Sequence, residues 1–264
     1  MLKINKGSKD LSIILESYVS DSFIETLTTS ESIDFGYYKP IQSLYLEIAP
    51  QALDNDVVIE FWNGSSWSQL TIVDRTFGLK KSGFISWERN IETQEESLLH
   101  GSTLYWYRLK VSTNDIPSLE LKGMNLVFSD DNDLKESYPD IMEYLPENSP
   151  SFISYHQSAR NFIISYLRNK GKSVQTKGVY KPLDQFDLHN YEEVKQASKY
   201  KALAMIFFNE SDNVDDKWYQ KAKDFDDLYA ASIDLNFLSI DSNDDGKVTA
   251  NEQQAIQFIQ IQRL

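Results

Sequence analysis

The chain has 264 residues, a formal net charge of -14 and no cysteine. Its length exceeds the usual size of one domain, and 41% hydrophobic residues suffice for packed cores, so we expect two domains and little disorder. The acidic charge argues against adhesion to nucleic acid or to an anionic membrane surface, and the absence of cysteine excludes disulfides and thiolate chemistry.

The N-terminal half of the chain has the pattern of a β-rich domain. Residues 1–32 are polar and rich in Ser and Thr, and we expect an arm or an edge strand there. Across residues 33–129, β-branched and aromatic residues recur with period two, and Asn63-Gly64 marks a two-residue hairpin turn. Many strands without an intervening helix predict an antiparallel β-sandwich of the jelly-roll type. The predicted strands cover residues 43–49, 57–62, 83–88, 103–111 and 119–128.

Four tryptophans fall inside this β-rich region: Trp62, Trp67, Trp87 and Trp106. Exposed aromatic rings can stack on sugars, so a carbohydrate-binding module is one interpretation. The other is that the rings fill the core between two sheets, where we expect Trp106 because aromatic residues alternate around it. The succession FWNGSSW, SGFISW and LYWYRLKV resembles β-sandwich domains found in structural proteins of tailed phages.

The C-terminal half has helical periodicity. Residues 130–150 contain three prolines and a run of acids, which predict a linker. Beyond residue 150, apolar side chains recur at helical spacing in three segments. The first ends near Lys170, the second covers residues 190–209, and the third begins near Val214. We expect these helices to form a small bundle. The longest apolar run, residues 202–208, is far below the roughly twenty residues that span a bilayer, so we expect a soluble protein without a targeting signal.

The segment DSNDDGKVTANE at residues 241–252 has the ligand spacing of an EF-hand calcium loop, with glycine where the chain must turn. Helical patterns flank it at residues 225–238 and 250–261. No second loop of this kind occurs, so we expect a structural Ca²⁺ ion rather than a sensor; an acidic surface turn is the alternative. The predicted ligands are Asp241, Asn243, Asp245, Lys247 through its carbonyl, Thr249 through its hydroxyl or a water, and Glu252.

These patterns together predict an α+β, multidomain chain. An N-terminal arm (1–32) precedes the β-sandwich domain (33–129), the linker (130–150) and a helical domain (151–264) that ends in the EF-hand-like loop.

The helical half resembles a known family. It begins with a helix and a proline-containing loop with Leu-Asp. A helix reading YKALAMIFFN, an acidic break and a helix reading YQKAKDFDDLYAASIDL follow. This layout resembles that of head-tail connector (neck) proteins of tailed bacteriophages. The resemblance covers residues 151–246 and implies a homo-oligomeric ring, a dodecamer, that binds the portal protein and tail or other neck proteins. It also implies a location in the virion after synthesis in the host cytoplasm, with DNA passing the lumen without specific binding and no contact with a membrane.

Catalysis finds little support in the sequence. The three histidines, His100, His156 and His189, have no Ser or Asp nearby in a nucleophile-elbow setting, and no phosphate loop or zinc spacing occurs. We therefore expect no enzyme and interpret His156 and His189 as surface or interface residues, although a glycosidase-type carboxylate pair stays open. Two further hypotheses are a carbohydrate-binding β-sandwich protein with an oligomerising helical module, and a calcium-responsive regulator.

Overall fold

A computed structural model describes residues 2–17, 25–49, 56–88, 94–111, 119–125, 127–147, 149, 151–176, 179–188, 190–235, 237–240 and 253–255. The chain divides into two compact units, Met1–Leu126 and Val127–Leu264. The first unit consists mainly of antiparallel strands and the second mainly of helices, so the predicted α+β class is confirmed. None of the helices in the described ranges is both long and apolar enough to cross a membrane.

The larger sheet of the first unit is antiparallel and centred on one long strand. Its order is β2-β1-β4-β11-β6-β7, and β10 also pairs with β11. The long strand β11 has period-two alternation and pairs along its length with β4 and β6. The strands are β1 (Lys3–Lys6), β2 (Lys9–Asp10), β4 (Ser32–Tyr37), β6 (Val57–Trp62), β7 (Trp67–Gln69), β10 (Ser97–Leu99) and β11 (Ser102–Val111).

The second sheet of this unit packs against the first. Phe35 and Tyr107 of the larger sheet stack with ring centroids 5.4 Å apart, and Trp87 of the smaller sheet lies 5.5 Å from Tyr107. These buried rings form the core between the two sheets. The smaller sheet has the order β3-β12-β5-β9-β8. Its strands are β3 (Glu25–Leu27), β5 (Ser43–Ile48), β8 (Ile72–Asp74), β9 (Gly83–Trp87) and β12 (Leu119–Asn125), and a short helix α1 (Ser12–Ser17) packs on β12.

Two sequence predictions for this unit need correction. Over residues 2–17 and 25–32 the chain is not an arm, and the alternative of an edge strand describes it: β1 and β2 end the larger sheet, β3 ends the smaller sheet, and Leu2, Ile4 and Leu27 are buried. The hairpin predicted at Asn63-Gly64 exists, but Trp62 pairs with Trp67, so four residues connect the strands instead of two. The Asn63 carboxamide oxygen accepts hydrogen bonds from the Ser65 and Ser66 amides and stabilises this longer turn.

The second unit is built around three long helices. They are α3 (Ile153–Asn169), α4 (Glu192–Asn209) and α5 (Lys217–Leu235), and α4 packs against both of the others. Two hairpins accompany them, formed by β13 (Ser173–Thr176) with β14 (Val179–Pro182) and by β15 (Phe237–Ser239) with β16 (Gln253–Ala255).

The predicted linker is a folded part of this unit. It contains α2 (Asp131–Ser137) and a 3-10 helix (Pro139–Tyr144), and Leu134 and Ile141 are fully buried in the helical core. The acids and prolines serve as helix-start signals here: Asp130 caps α2 in a capping box with Asp133, and Pro139 opens the 3-10 helix. The prediction of a solvated connection is therefore wrong for residues 130–145.

The end of the chain also differs from the prediction. The helix expected before the acidic loop ends at Leu235, and the helix expected at residues 250–261 is replaced over Gln253–Ala255 by strand β16. The backbone of this short segment pairs with Phe237–Ser239. Its backbone hydrogen bonds therefore go to a neighbouring strand, whereas in a helix they would be made within the segment.

Candidate functional site

The helical unit has a groove whose lining comes from all three long helices. The groove encloses about 530 Å³ and is lined mainly by α4, with α3 and α5 on its two sides. Its lining includes Tyr155 of α3, the apolar side chains Ala204, Met205 and Phe208 of α4, and Tyr219 and Asp226 of α5. A concave, largely apolar surface with a few polar groups at its edge is typical of a binding site.

The sequence of α4 explains why this groove is apolar. Leu203, Ile206 and Phe207 point into the core of the unit, but Met205 and Phe208 continue the apolar surface around the helix. Helices that are apolar on nearly all sides are normally buried on nearly all sides. In α4 the side that carries Phe208 is open, because the ring of Phe208 is 60% exposed. The centroid of this ring lies 6.0 Å from that of Tyr219.

Lys201 lies at the centre of the contacts between the three helices. Its ammonium group forms an ion pair of 2.5 Å with Asp226 of α5. It also lies 4.6 Å from the ring centroid of Phe162 on α3 and 5.0 Å from that of Tyr229 on α5. These cation–π contacts hold Phe162 at the surface, where it is 51% exposed. Lys201 thus contacts the exposed ring of Phe162 on α3 and the half-buried ring of Tyr229 on α5.

The charged side chains that line the groove are those of Lys201, Lys223 and Asp226, and Asp226 is paired with Lys201. The helix α5 and the residues just before it are rich in acids. Residues 212–234 contain seven aspartates against three lysines, and Asp224, Asp226 and Asp227 are exposed.

Two phenols of the long helices hold their protons more tightly than usual. Burial and a hydrogen bond to Asp234 raise the pKa of Tyr166 to about 12. Burial, with the charge of Tyr166 and nearby aspartates, also raises the pKa of Tyr229 to about 12.

A buried polar network joins the start of α2 to the long helices α3 and α4. His156 is 2% exposed; its Nδ1 lies 2.9 Å from Ser129 Oγ and its Nε2 lies 3.0 Å from Asp131 Oδ1. Ser129 Oγ is also 2.8 Å from Ser198 Oγ, and Asp131 accepts a hydrogen bond from the amide of Phe152. The expectation that His156 lies at a surface or interface is therefore wrong, because its two ring nitrogens have partners inside the unit.

This serine, histidine and aspartate are connected as in a hydrolytic triad, but their arrangement is unsuited to hydrolysis. In the serine hydrolase arrangement Nε2 faces the serine and Nδ1 faces the carboxylate, and here the two nitrogens are exchanged. Ser129 is fully buried and already bonded to Ser198, so no substrate carbonyl can reach its hydroxyl. The network is better explained as a connection between helices.

The other histidines have different settings. His100 Nε2 lies 2.9 Å from Asp34 Oδ2, and Arg108 binds both oxygens of the same carboxylate at 2.6 and 3.0 Å. His189 lies outside the described residues.

The four tryptophans of the first unit occupy three kinds of position. Trp87 is in the core between the sheets, as expected for a core residue. Trp106 is also fully buried, but alternation along β11 places it on the opposite face from Tyr107, where it lies over Gly36 and against the ring of His100. Its expected position between the sheets is therefore wrong.

Trp62 and Trp67 form a half-buried pair with ring centroids 5.2 Å apart. The guanidinium carbon of Arg108 lies 4.0 Å from the centroid of Trp67, so one face of that ring is occupied.

The six predicted calcium ligands all lie outside the described residues. The strands on either side of that segment are described, and Ser239 pairs with Gln253. Within the described ranges, no group of three or more His, Asp or Glu side chains could hold a metal ion.

Comparisons with known proteins give little guidance. No protein-family model and no curated protein matches the chain. Among solved structures, the chain is similar to CpGH89CBM32-6 produced by Clostridium perfringens, at 11% identity and a TM-score of 0.30, with 47% of this chain and 90% of that chain covered. It is also similar to a family 89 glycoside hydrolase from Clostridium perfringens in complex with 2-acetamido-1,2-dideoxynojirmycin, at 7% identity and a TM-score of 0.30.

The match to that hydrolase covers 64% of this chain and only 20% of the hydrolase chain. A structure of the family 89 hydrolase in complex with PUGNAc matches over the same shares with a TM-score of 0.26. Scores this low do not indicate a common fold or function.

Proposed function

We propose that this protein is a structural virion protein of a phage neck, which forms a ring between portal and tail through which DNA passes. The observation that supports the proposal is the open groove of the helical unit. The exposed ring of Phe208 lines it, and the exposed ring of Phe162 lies against Lys201, which also lines it. Clustered exposed apolar side chains beside a groove are typical of protein interaction sites. The partner at this groove is a neighbouring copy of the chain.

A ring requires that each copy use two different surfaces, because a head-to-tail contact repeated by rotation closes into a ring. The groove supplies one such surface. The net charge of -14 fits a lumen that DNA must pass, because like charges keep the DNA from adhering to the wall. The layout of the helical half, which resembles neck proteins, is consistent with the same assembly.

The groove can be tested by sedimentation velocity of the purified protein and of Phe208→Ser. We expect the wild type to sediment as an oligomer and Phe208→Ser to dissociate, with an unchanged circular dichroism spectrum because Phe208 is outside the core. The control is Leu98→Ser, which removes an apolar side chain from the other unit; Leu98 is 72% exposed and Phe208 is 60% exposed. An oligomer unaffected by Phe208→Ser would exclude the groove as the contact.

We also propose that the acidic segment binds a structural Ca²⁺ ion through the six residues given above. Two observations support the ligand set: the oxygen donors stand at EF-hand spacing, and the strands on either side of the segment pair at Ser239 and Gln253. Because a strand and not a helix adjoins the segment on its C-terminal side, the ion would close a hairpin rather than hold two helices.

Carbohydrate binding by the first unit is the second candidate. The half-buried pair of Trp62 and Trp67 supports it, because a partly exposed indole ring can stack on a sugar; Arg108 occupies one face of Trp67. A glycan array or calorimetric titration should then show binding that Trp62→Ala abolishes. Absence of binding to any saccharide would remove this candidate.

A further inference from the structure

The end of α3 and the hairpin of β13 and β14 form a basic region in an acidic chain. Residues 148–183 contain no Asp or Glu and six of the 26 Lys and Arg residues, so the rest of the chain has 20 cations against 40 acids. The cations of this region are Arg160, Arg168, Lys170, Lys172, Lys177 and Lys181. The net charge of -14 is therefore distributed unevenly along the sequence.

Two of these lysines stand on either side of the turn that ends α3. Gly171 has a φ of 77°, in the left-handed region that glycine adopts without strain, and the Lys172 amide donates a hydrogen bond to the carbonyl oxygen of Leu167. The chain then enters β13 at once, so Lys170 and Lys172 lie at the base of the hairpin. Both side chains are half-buried, and burial lowers the pKa of Lys172. An ammonium group that has lost part of its hydration gains from an anionic partner.

The hairpin brings two further cations to the same place. In β14, Lys181 is paired with Val174, which is two positions after Lys172. The Nε atom of Arg168 donates a hydrogen bond to the carbonyl oxygen of Leu183, two positions after Lys181. The strand register and this bond therefore cluster four cations, and we name the cluster the basic end of the helical unit: Arg168, Lys170, Lys172 and Lys181.

The acids of the helical unit leave this positive charge largely unpaired. In the ranges that the structure describes, no carboxylate forms an ion pair with Arg168, Lys170 or Lys181. The acids that follow the hairpin, Asp184 and Asp187, are joined in a capping box with backbone amides. The basic end therefore offers its charge to a partner outside the unit.

An exposed aromatic side chain accompanies the cations. Tyr180 is 74% exposed, more than any other large apolar side chain in the described part of the chain, and it directly precedes Lys181. Tyrosine hydroxyls donate hydrogen bonds to phosphate oxygens, as Lys and Arg side chains do. This combination of groups suits a phosphate backbone.

We propose that the basic end binds the phosphate backbone of duplex DNA without reading its sequence. The inference rests on the proposed ring, which brings DNA past every copy of the chain, and it names the surface that the DNA touches. Contacts to phosphates carry no sequence information, so they are compatible with DNA that moves. Charge complementarity selects the partner, because duplex DNA carries one negative charge for about every 1.7 Å of its length.

The acidic remainder of the chain does not prevent this contact. Charges separated by more than about 10 Å are largely screened at 0.1 M salt, so the cations of the basic end act on a nearby phosphate with little influence from distant acids. The same acids keep DNA from spreading over the rest of the surface and keep the binding weak. The predicted binding therefore depends strongly on salt.

Fluorescence anisotropy with a labelled duplex of about 30 base pairs tests the contact in the full-length protein. We expect binding at 50 mM NaCl that is weakened about a hundredfold at 200 mM, the loss predicted for about four phosphate contacts. Two duplexes of unrelated sequence should give the same dissociation constant. Lys170→Glu with Lys181→Glu should weaken binding at the lower salt concentration at least about tenfold and make the salt dependence shallower.

Two further variants make the experiment specific. The matched control is Lys9→Glu with Lys81→Glu, which changes the net charge equally through two exposed lysines of the other unit, and it should bind DNA within about threefold of the wild type. Lys170→Gln with Lys181→Gln removes charge without reversing it and should weaken binding by an intermediate factor. This neutral pair keeps the test valid if circular dichroism shows that the reversed pair does not fold.

The outcomes separate this inference from the proposed ring. A wild type that does not bind DNA at the lower salt concentration would overturn the inference, and so would an equal loss in the control variant. Binding to vesicles of anionic lipid without binding to DNA would overturn the choice of partner. Rings in negative stain that do not bind DNA would leave the ring intact and remove the DNA surface. DNA binding by a protein that forms no rings would do the reverse.

Discussion

His156 Nε2 lies 3.0 Å from Asp131 Oδ1, and this contact ties the long helix α3 to the start of α2. We expect His156→Ala to lower the free energy of unfolding by about 2–3 kcal/mol, because the buried Ser129 hydroxyl and the Asp131 carboxylate both lose a partner. Urea denaturation followed by circular dichroism measures the change. Asn209→Ala is the control, because it removes only an exposed hydrogen bond to the Tyr155 hydroxyl, and should cost about 1 kcal/mol or less. Equal effects of both substitutions would contradict the account of the buried network.

Gly36 gives a prediction for the first unit. A methyl group at this position would lie 2.8 Å from Cε3 of the fully buried Trp106 ring. Gly36→Ala should therefore destabilise the protein by about 1–3 kcal/mol through overpacking. Combination with Trp106→Leu tests the cause, because the smaller side chain makes room for the methyl group. The double variant should lose less stability than the sum of the single variants, and strictly additive losses would show that the clash is not responsible.

Alkaline pH should destabilise the helical unit. The pKa of Tyr166 and of Tyr229 is raised from 10.0 to about 12, so the folded state holds these protons more tightly than the unfolded chain does. The resulting stabilisation is complete below pH 10 and is lost as the pH rises towards 12. Urea denaturation across this interval should show the loss, and Tyr166→Phe should make it smaller. An identical pH profile for wild type and Tyr166→Phe would exclude the contribution of this phenol.

Calcium should raise the melting temperature of the wild-type protein if the acidic segment binds it, because a ligand of the folded state stabilises that state. Glu252→Gln removes the bidentate carboxylate and should abolish the calcium-dependent increase without a change in fold. Differential scanning calorimetry with calcium and with chelator measures both. Glu210→Gln, an exposed acid on another segment, should retain the full response. The same melting temperature in calcium and chelator would reject the site.

The periodicity of strands and helices can be read from the sequence. The residues against which each face of a strand or helix packs cannot be read from it. Alternation along β11 predicted the strand, whereas the burial of Trp106 on the outer face depends on Gly36 in a neighbouring strand and on the turn at His100. The sequence therefore showed that Trp106 is buried without showing where.

The sequence of residues 130–145 predicts a linker where the structure has helices, and the difference has a physical reason. Acids and prolines mark both solvated connections and helix starts, and the difference is decided by whether apolar residues between them find a core. Leu134 and Ile141 find a core because they pack against residues of the long helices, such as Phe207, that are distant from them in the sequence.

The groove had a visible signal in the run ALAMIFF, which is apolar on nearly every side of α4. That signal alone did not show which side stays open, because the answer depends on the positions of α3 and α5. The Ser129–His156–Asp131 connection was invisible for the same reason, since its residues meet only through the packing of α2 on α3 and α4.

Negative-stain electron microscopy of the purified protein, in calcium and in chelator, tests the central claim most directly. The account predicts closed rings in the wild type, with helical units side by side around an acidic lumen, and single particles for Phe208→Ser under the same conditions. Isolated wild-type monomers at all concentrations in both solutions would contradict the proposal of a neck ring and would favour the sugar-binding candidate.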